Sequence, residues 1–177
     1  IYNTLGAMIM RNLWIKSNTG YYYGGGVYNS APSTFSNIRF EKNTITNYYG
    51  GGLYNNNAGA IFEQLSFYEN TAASGGGLYT TVSISLDSAV FKGNKATANG
   101  GGIVTTGGVL TLNNTVFEEN TAGSNGGGIY STGAVNAKKI NLEGNKAASG
   151  GGIYNTKVFN VEDLLLKNNS ATAYGGG

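Results

Sequence analysis

The sequence contains no histidine and no cysteine. Imidazole acid–base catalysis, thiol nucleophiles, disulfides and the common zinc ligands are all excluded by that absence. Charge is sparse too, with 11 basic residues against 9 acidic ones and no basic block. A nucleic-acid surface, which needs clustered Lys and Arg, is therefore not expected. No apolar run approaches 18 residues, so no membrane insertion by a helix is expected from this segment. Only two aspartates occur, Asp87 and Asp163. What is abundant is glycine, with 30 residues, and tyrosine, with 13. An apolar content of 40% is too high for a solvated disordered tail.

The glycines are ordered. Triplets start at positions 24, 50, 75, 100, 126, 150 and 175, so successive triplets lie 24 to 26 residues apart. Each internal triplet precedes an aliphatic residue, as in Gly-Gly-Gly-Ile-Tyr-Asn ending at Asn155. Cutting after each triplet gives seven units: 1–26, 27–52, 53–77, 78–102, 103–128, 129–152 and 153–177. The first and last units share one phase, and the expectation is a single segment, 1–177, cut from a longer array. One tight turn accounts for one positive-φ glycine, and close backbone approach for another. The sequence supplies no reason for a third.

A second anchor is an asparagine in every unit: Asn18, Asn43, Asn70, Asn94, Asn120, Asn145 and Asn169. Apolar residues sit three, five, eight and ten positions before it, as with Phe67, Leu65, Phe62 and Ala60 before Asn70. Steps of two mark strands, and the step of three marks a corner. Each unit then holds three short strands: one after the glycines, one ending eight residues before the asparagine, and one ending three before it. Units of about 25 residues with this pattern predict an all-β fold, a single-stranded parallel β-helix of about seven turns. Right-handed winding follows from the general preference of parallel crossovers. At a rise of about 4.8 Å per turn the rod is about 34 Å long.

Stacking turns places equivalent residues over one another. Phe40, Phe67, Phe91 and Phe117 become an inward aromatic column. The seven asparagines become a structural ladder whose amides bond along the stack, at a corner whose left-handed backbone Asn tolerates. Ala72, Ala96, Ala122, Ala147 and Ala171, each two residues after the ladder asparagine, suit a cramped inward position.

Two motifs recur in phase, Gly-Gly-Gly-[Ile/Leu/Val]-Tyr and Phe-x-x-Asn, the latter at Phe40–Asn43, Phe67–Asn70, Phe91–Asn94 and Phe117–Asn120. Together they resemble the GGA[ILV] and FxxN motifs of the chlamydial polymorphic outer-membrane protein repeats. Here Gly replaces the frequent Ala, and Ile or Leu replaces Phe in the first, sixth and seventh units. The resemblance implies a β-helix in a secreted or cell-surface protein of autotransporter type, acting as an adhesin.

Candidate contact residues are tyrosines. Tyr2, Tyr28, Tyr54, Tyr79, Tyr130 and Tyr154 follow the aliphatic residue, with Val104 breaking the series. If the aliphatics point inward, the tyrosines form an outward ladder, which either shields the strand or offers an aromatic strip to a glycan or protein. Tyr21, Tyr22, Tyr23, Tyr48 and Tyr49 cluster before the glycines of the first two units and fit a contact role better, being local rather than repetitive.

An enzyme of the β-helix type needs clustered carboxylates. Asp87 and Asp163 are three turns apart, about 14 Å. Glu119 is expected near Glu143 of the next unit, with no nearby basic partner of the kind a lyase base needs beside either. The residues inside each Phe-x-x-Asn, of mixed sign, fit a solubility device. A threonine column (Thr4, Ser30, Thr81, Thr106, Thr132, Thr156) has one regular rank where an ice-binding face needs two. Asn113-Asn114-Thr115 and Asn168-Asn169-Ser170 fit the N-glycosylation pattern. The expectation is a non-enzymatic structural and adhesive rod with no cofactor and no metal. Its partner is a surface protein or glycan, or copies of itself end to end. A carbohydrate-active protein with its site elsewhere in a longer chain, and a filament subunit without a ligand, are the alternatives.

Overall fold

A computed structural model describes all 177 residues. Every regular element is a strand, and all pairing between strands is parallel, turn to turn. Three sheets run the length of the rod. The first collects the strands after the glycines, Tyr2–Asn3, Val27–Asn29, Leu53–Asn55, Leu78–Thr80, Ile103–Thr105, Ile129–Ser131 and Ile153–Asn155. The second is long-stranded: Met8–Lys16, Ser33–Glu41, Ile61–Tyr68, Val90–Lys92, Val109–Glu118, Ala134–Glu143 and Phe159–Lys167, with Ile84–Asp87 as a separate piece in the fourth turn. The third is short, from Thr19–Gly20 through Thr71–Ala72 to Ser170–Tyr174. Register follows the sequence repeat: Phe67 pairs with Phe91, Phe91 with Phe117, and Leu78 with Ile103.

The three strands per turn are divided differently from the pattern-based expectation. The two segments expected before the asparagine are one bent strand in six turns. The step of three in the apolar pattern falls on a single left-handed residue, Asn12, Asn37, Gln64, Ser88, Asn114, Lys139 or Asp163, with φ between 47° and 57°. That residue reverses the alternation without ending the extended chain, and only at Ser88 does the strand split in two. The third strand follows the asparagine and carries the small inward residues, among them Ala72, Ala96 and Ala122, all buried. The corner also differs. The left-handed backbone sits one residue before the ladder asparagine, at Ser17, Lys42, Glu69, Gly93, Glu119, Gly144 and Asn168. The asparagine is selected for its carboxamide, not for its φ.

Phe40, Phe67, Phe91 and Phe117 are fully buried, with centroids 4.9, 4.6 and 4.8 Å apart and ring planes within 6° of parallel. Ring spacing thus matches the strand spacing of about 4.8 Å. Removing one such ring to Ala typically costs about 3–5 kcal/mol, because neighbours fixed by the stack cannot close the cavity.

The glycine triplet has three separate causes, seen in the third turn. Gly75 has a φ of 65°, and the other first glycines have φ between 59° and 74°. Gly76 lies so close to its neighbours that a Cβ would stand 2.5 Å from the carbonyl oxygens of both Gly101 and Lys95. Gly77 faces the core, where a Cβ would stand 2.9 Å from Cδ1 of Phe91 and 2.7 Å from the Gly102 carbonyl. One glycine turns the chain, the second lets successive turns and the third sheet approach, and the third makes room for the aromatic column. The N–H groups of Gly75, Gly76 and Gly77 all donate to carbonyls of the next turn at 3.0–3.2 Å.

Gly76→Ala is expected to destabilise the chain by about 2–3 kcal/mol in urea unfolding, because backbone on both sides cannot yield. Gly6→Ala, where a Cβ meets nothing within 4 Å, is expected to stay within about 0.5 kcal/mol of the parent.

Candidate contact surfaces

Two polar ladders hold the side chains in register. In the first, both the backbone N–H and the Nδ2 of Asn70 donate to Oδ1 of Asn94 at 3.0 Å, while Nδ2 also donates to the Phe40 carbonyl at 3.0 Å. The same three bonds recur from Asn43, Asn94, Asn120 and Asn145, and these five asparagines are fully buried. Asn18 donates to Asn43 Oδ1, and Asn169 closes the series. A buried carboxamide with its groups paired meets the requirement that interior polar groups be satisfied.

The second ladder was not foreseen from the sequence. Asn29 donates to Asn55 Oδ1 at 3.0 Å and to the Ala31 carbonyl at 3.0 Å. Thr80, Thr105 and Ser131 take over the same buried position and donate to the carbonyl two residues on. Its signal is the invariably polar residue two places after each internal Gly-Gly-Gly-[Ile/Leu/Val], obscured because Asn, Thr and Ser interchange there.

The tyrosine ladder stacks as a continuous column on either side of Val104. Tyr28 and Tyr54 are 5.3 Å apart with planes at 6°, and Tyr54 and Tyr79 are 5.4 Å apart, also at 6°. The rings leave the core as expected, but the centre of the column is not open to solvent. Tyr23 lies against Tyr54 at 4.8 Å and Tyr49 stacks on Tyr79 at 4.4 Å. Tyr54 and Tyr79 are consequently only 9% and 8% exposed. The corner tyrosines lean over the ladder and roof it. Tyr28, Tyr48, Tyr49, Tyr130 and Tyr154 are partly covered, whereas Tyr21 and Tyr22 are exposed at 62% and 57%, and Tyr23 at 40%.

Charges pair between neighbouring turns. Lys92 bonds Glu118 at 2.8 Å and Lys167 bonds Glu143 at 2.8 Å. Glu143 therefore has a basic neighbour, Lys167 of the next turn, held in an ion pair. It is Glu118, not Glu119, that stands in register with Glu143. The hydrogen-bonded glutamates raise the pKa of Lys92 and of Lys167. Within the first glycosylation-type triplet, Thr115 is buried and its hydroxyl donates to the Asn113 carbonyl.

One cluster was missed, because the residues inside Phe-x-x-Asn read as solubility devices. Glu41 is 7% exposed, and its carboxylate gathers three donors. Arg39 donates through Nε at 2.7 Å, Trp14 through Nε1 at 3.2 Å, and Lys16 Nζ stands 3.3 Å away. Lys16 lies 4.3 Å from the Trp14 ring centroid, and Arg39 lies 4.3 Å from that of Tyr68 and 5.5 Å from that of Trp14. Burial alone would raise the Glu41 pKa, but hydrogen bonds from Lys16 and Arg39, with their charges, hold it below the usual value.

Tyr54 supplies a pH test. Burial, reinforced by neighbouring phenols, pushes its pKa up to about 12 from 10.0. The stability it contributes is fully present below pH 10 and is lost as pH rises through about 12. In ultraviolet titration, the tyrosinate signal missing from Tyr54→Phe relative to the parent is expected to have its midpoint near pH 12.

Three stretches, residues 64–81, 88–106 and 114–132, match the Chlamydia polymorphic membrane protein repeat. Each runs from the bend of the long strand or close by it, through the ladder asparagine and the glycines, into the first sheet. No curated protein and no solved structure matches the chain. The matched family is one of outer-membrane, surface-exposed proteins, in keeping with the secreted or cell-surface placement expected from the motifs. With its asparagine and glycine columns repeated through seven turns, the chain is a β-helix of which three stretches are similar to the Chlamydia polymorphic membrane protein repeat.

Proposed function

We propose that the chain is a non-enzymatic adhesive rod, and that its contact surface is the tyrosine corner of the first two turns rather than the whole tyrosine ladder. The observation that carries this is the contrast in exposure. Tyr21, Tyr22 and Tyr23 stand open, whereas Tyr54 and Tyr79 are sealed beneath their neighbours. Tyr22 also approaches Tyr48 at 5.2 Å, so the corner is one packed aromatic surface. Exposed, mutually braced tyrosines offer large contact area at low entropic cost, the property that enriches them at interfaces. A rigid stack sets them in fixed positions, which limits the ordering penalty on binding. The ion-paired state of Glu118 and Glu143 supports a scaffold reading of that column over an acid–base one.

Beads coated with the 177-residue chain are expected to adhere to cultured epithelial cells. The triple variant Tyr21→Ser, Tyr22→Ser, Tyr23→Ser is expected to reduce adhesion by about fivefold or more, with its circular dichroism unchanged. Failure of the parent to adhere, or equal adhesion by the variant, would contradict the assignment.

A further inference from the structure

We propose that Trp14, Lys16, Arg39 and Tyr68 form a binding site for a sulfated polysaccharide chain. This goes beyond the contact reading above, since it uses residues outside the tyrosine corner.

The site is built from three successive turns. Lys16, Glu41 and Tyr68 are register neighbours in one outward column, and Trp14 and Arg39 in the adjacent one. Trp14, the single tryptophan of the chain, is 60% exposed. The indole, with Lys16 Nζ 4.3 Å over its ring, still presents flat apolar surface of the kind on which the C–H face of a sugar ring lies. Beside it stand two cations whose side chains are 41% and 48% exposed, Lys16 and Arg39. Glu41 takes Nε and Nη2 of Arg39, while Nη1 has no partner in the protein and can donate to an anion. Lys16 makes one ion pair and keeps further protons for a ligand. Both long side chains are therefore already ordered by the buried carboxylate, which lowers the entropic cost of binding.

The charge distribution selects an anion. The first two turns, residues 1–52, hold four basic residues against the single acidic Glu41, a net of +3. The other five turns hold seven basic residues against eight acidic ones, a net of −1. The excess positive charge thus lies in the two turns that carry Trp14, where Lys16 and Arg39 flank the indole while Lys42 pairs with Glu69 of the next turn, and it favours an anionic polymer there. An acidic peptide supplies carboxylates but no ring to lie on Trp14. A membrane surface needs a broader basic field and more apolar anchors than this patch presents. A sulfated sugar supplies both ring and anion within one residue, and Lys16 and Arg39, in neighbouring columns of adjacent turns, flank the indole on which that ring would lie.

The test is surface plasmon resonance of the 177-residue chain on immobilised heparin. Binding is expected, weakening steeply as salt is raised. Trp14→Ala and Arg39→Gln are each expected to weaken it about tenfold or more, while Trp14→Phe stays within about threefold. Unchanged circular dichroism and urea midpoints establish that these variants are folded. Chemically desulfated heparin is expected not to bind. The Tyr21, Tyr22, Tyr23 triple variant is expected to keep the parent's heparin affinity, so loss of cell adhesion and loss of glycan binding are separable. The proposal is overturned if heparin does not bind, if Trp14→Ala binds like the parent, or if desulfated heparin binds equally. Polyglutamate or phosphatidylserine vesicles binding as well as heparin would also overturn it.

Discussion

Every feature of the rod depends on in-register backbone hydrogen bonding between a residue and its counterpart one turn away. Parallel strands make like residues neighbours, so any side chain that interacts well with itself is reinforced each time the repeat comes round. Phenylalanine stacks on phenylalanine, carboxamide bonds to carboxamide, and phenol packs on phenol. Charge is the exception, since like charges stacked directly repel. In one outward column Lys16 faces Glu41 and Lys92 faces Glu118, and where Glu118 meets Glu143 in register each carboxylate pairs instead with a lysine on its other side, Lys92 and Lys167.

That constraint also explains the glycines. A stack repeated at the strand spacing leaves no slack where the chain leaves the third sheet and enters the first. Gly75, Gly76 and Gly77 meet three different demands there: backbone handedness, close approach of main chains, and clearance for the phenylalanine column. The conformational freedom each glycine loses is offset by hydrogen bonds that recur at every turn.

Much of this was legible in the sequence because periodicity is a direct record of stacking. The spacing of the triplets and asparagines fixes the turn length, and the apolar steps place Phe67 above Phe40 and below Phe91. The strand divisions were less legible. A step of three reads equally as a gap between strands or as one left-handed residue within a strand, and residues such as Gln64 and Lys139 do not advertise that conformation. The roof over Tyr54 was not legible either. It depends on how Tyr23 and Tyr49 lean across from a neighbouring corner, a contact between columns that no single column encodes. The Trp14 cluster escaped for the same reason, since its members occupy two columns and three turns.

The absence of native cysteine allows a direct test of the stacking itself. Val90 and Val116 are register partners on adjacent turns, and Asn141 lies one turn beyond Val116. Their Cα atoms are expected about 4.8 Å apart for adjacent turns and about 9.6 Å for the next turn but one, on either side of the reach of a disulfide. Under mild oxidation, followed by mass spectrometry, Val90→Cys with Val116→Cys is predicted to close an intramolecular disulfide, and Val90→Cys with Asn141→Cys is predicted to remain a dithiol. No disulfide in the first pair, or equally rapid closure in both, would contradict turn-on-turn register.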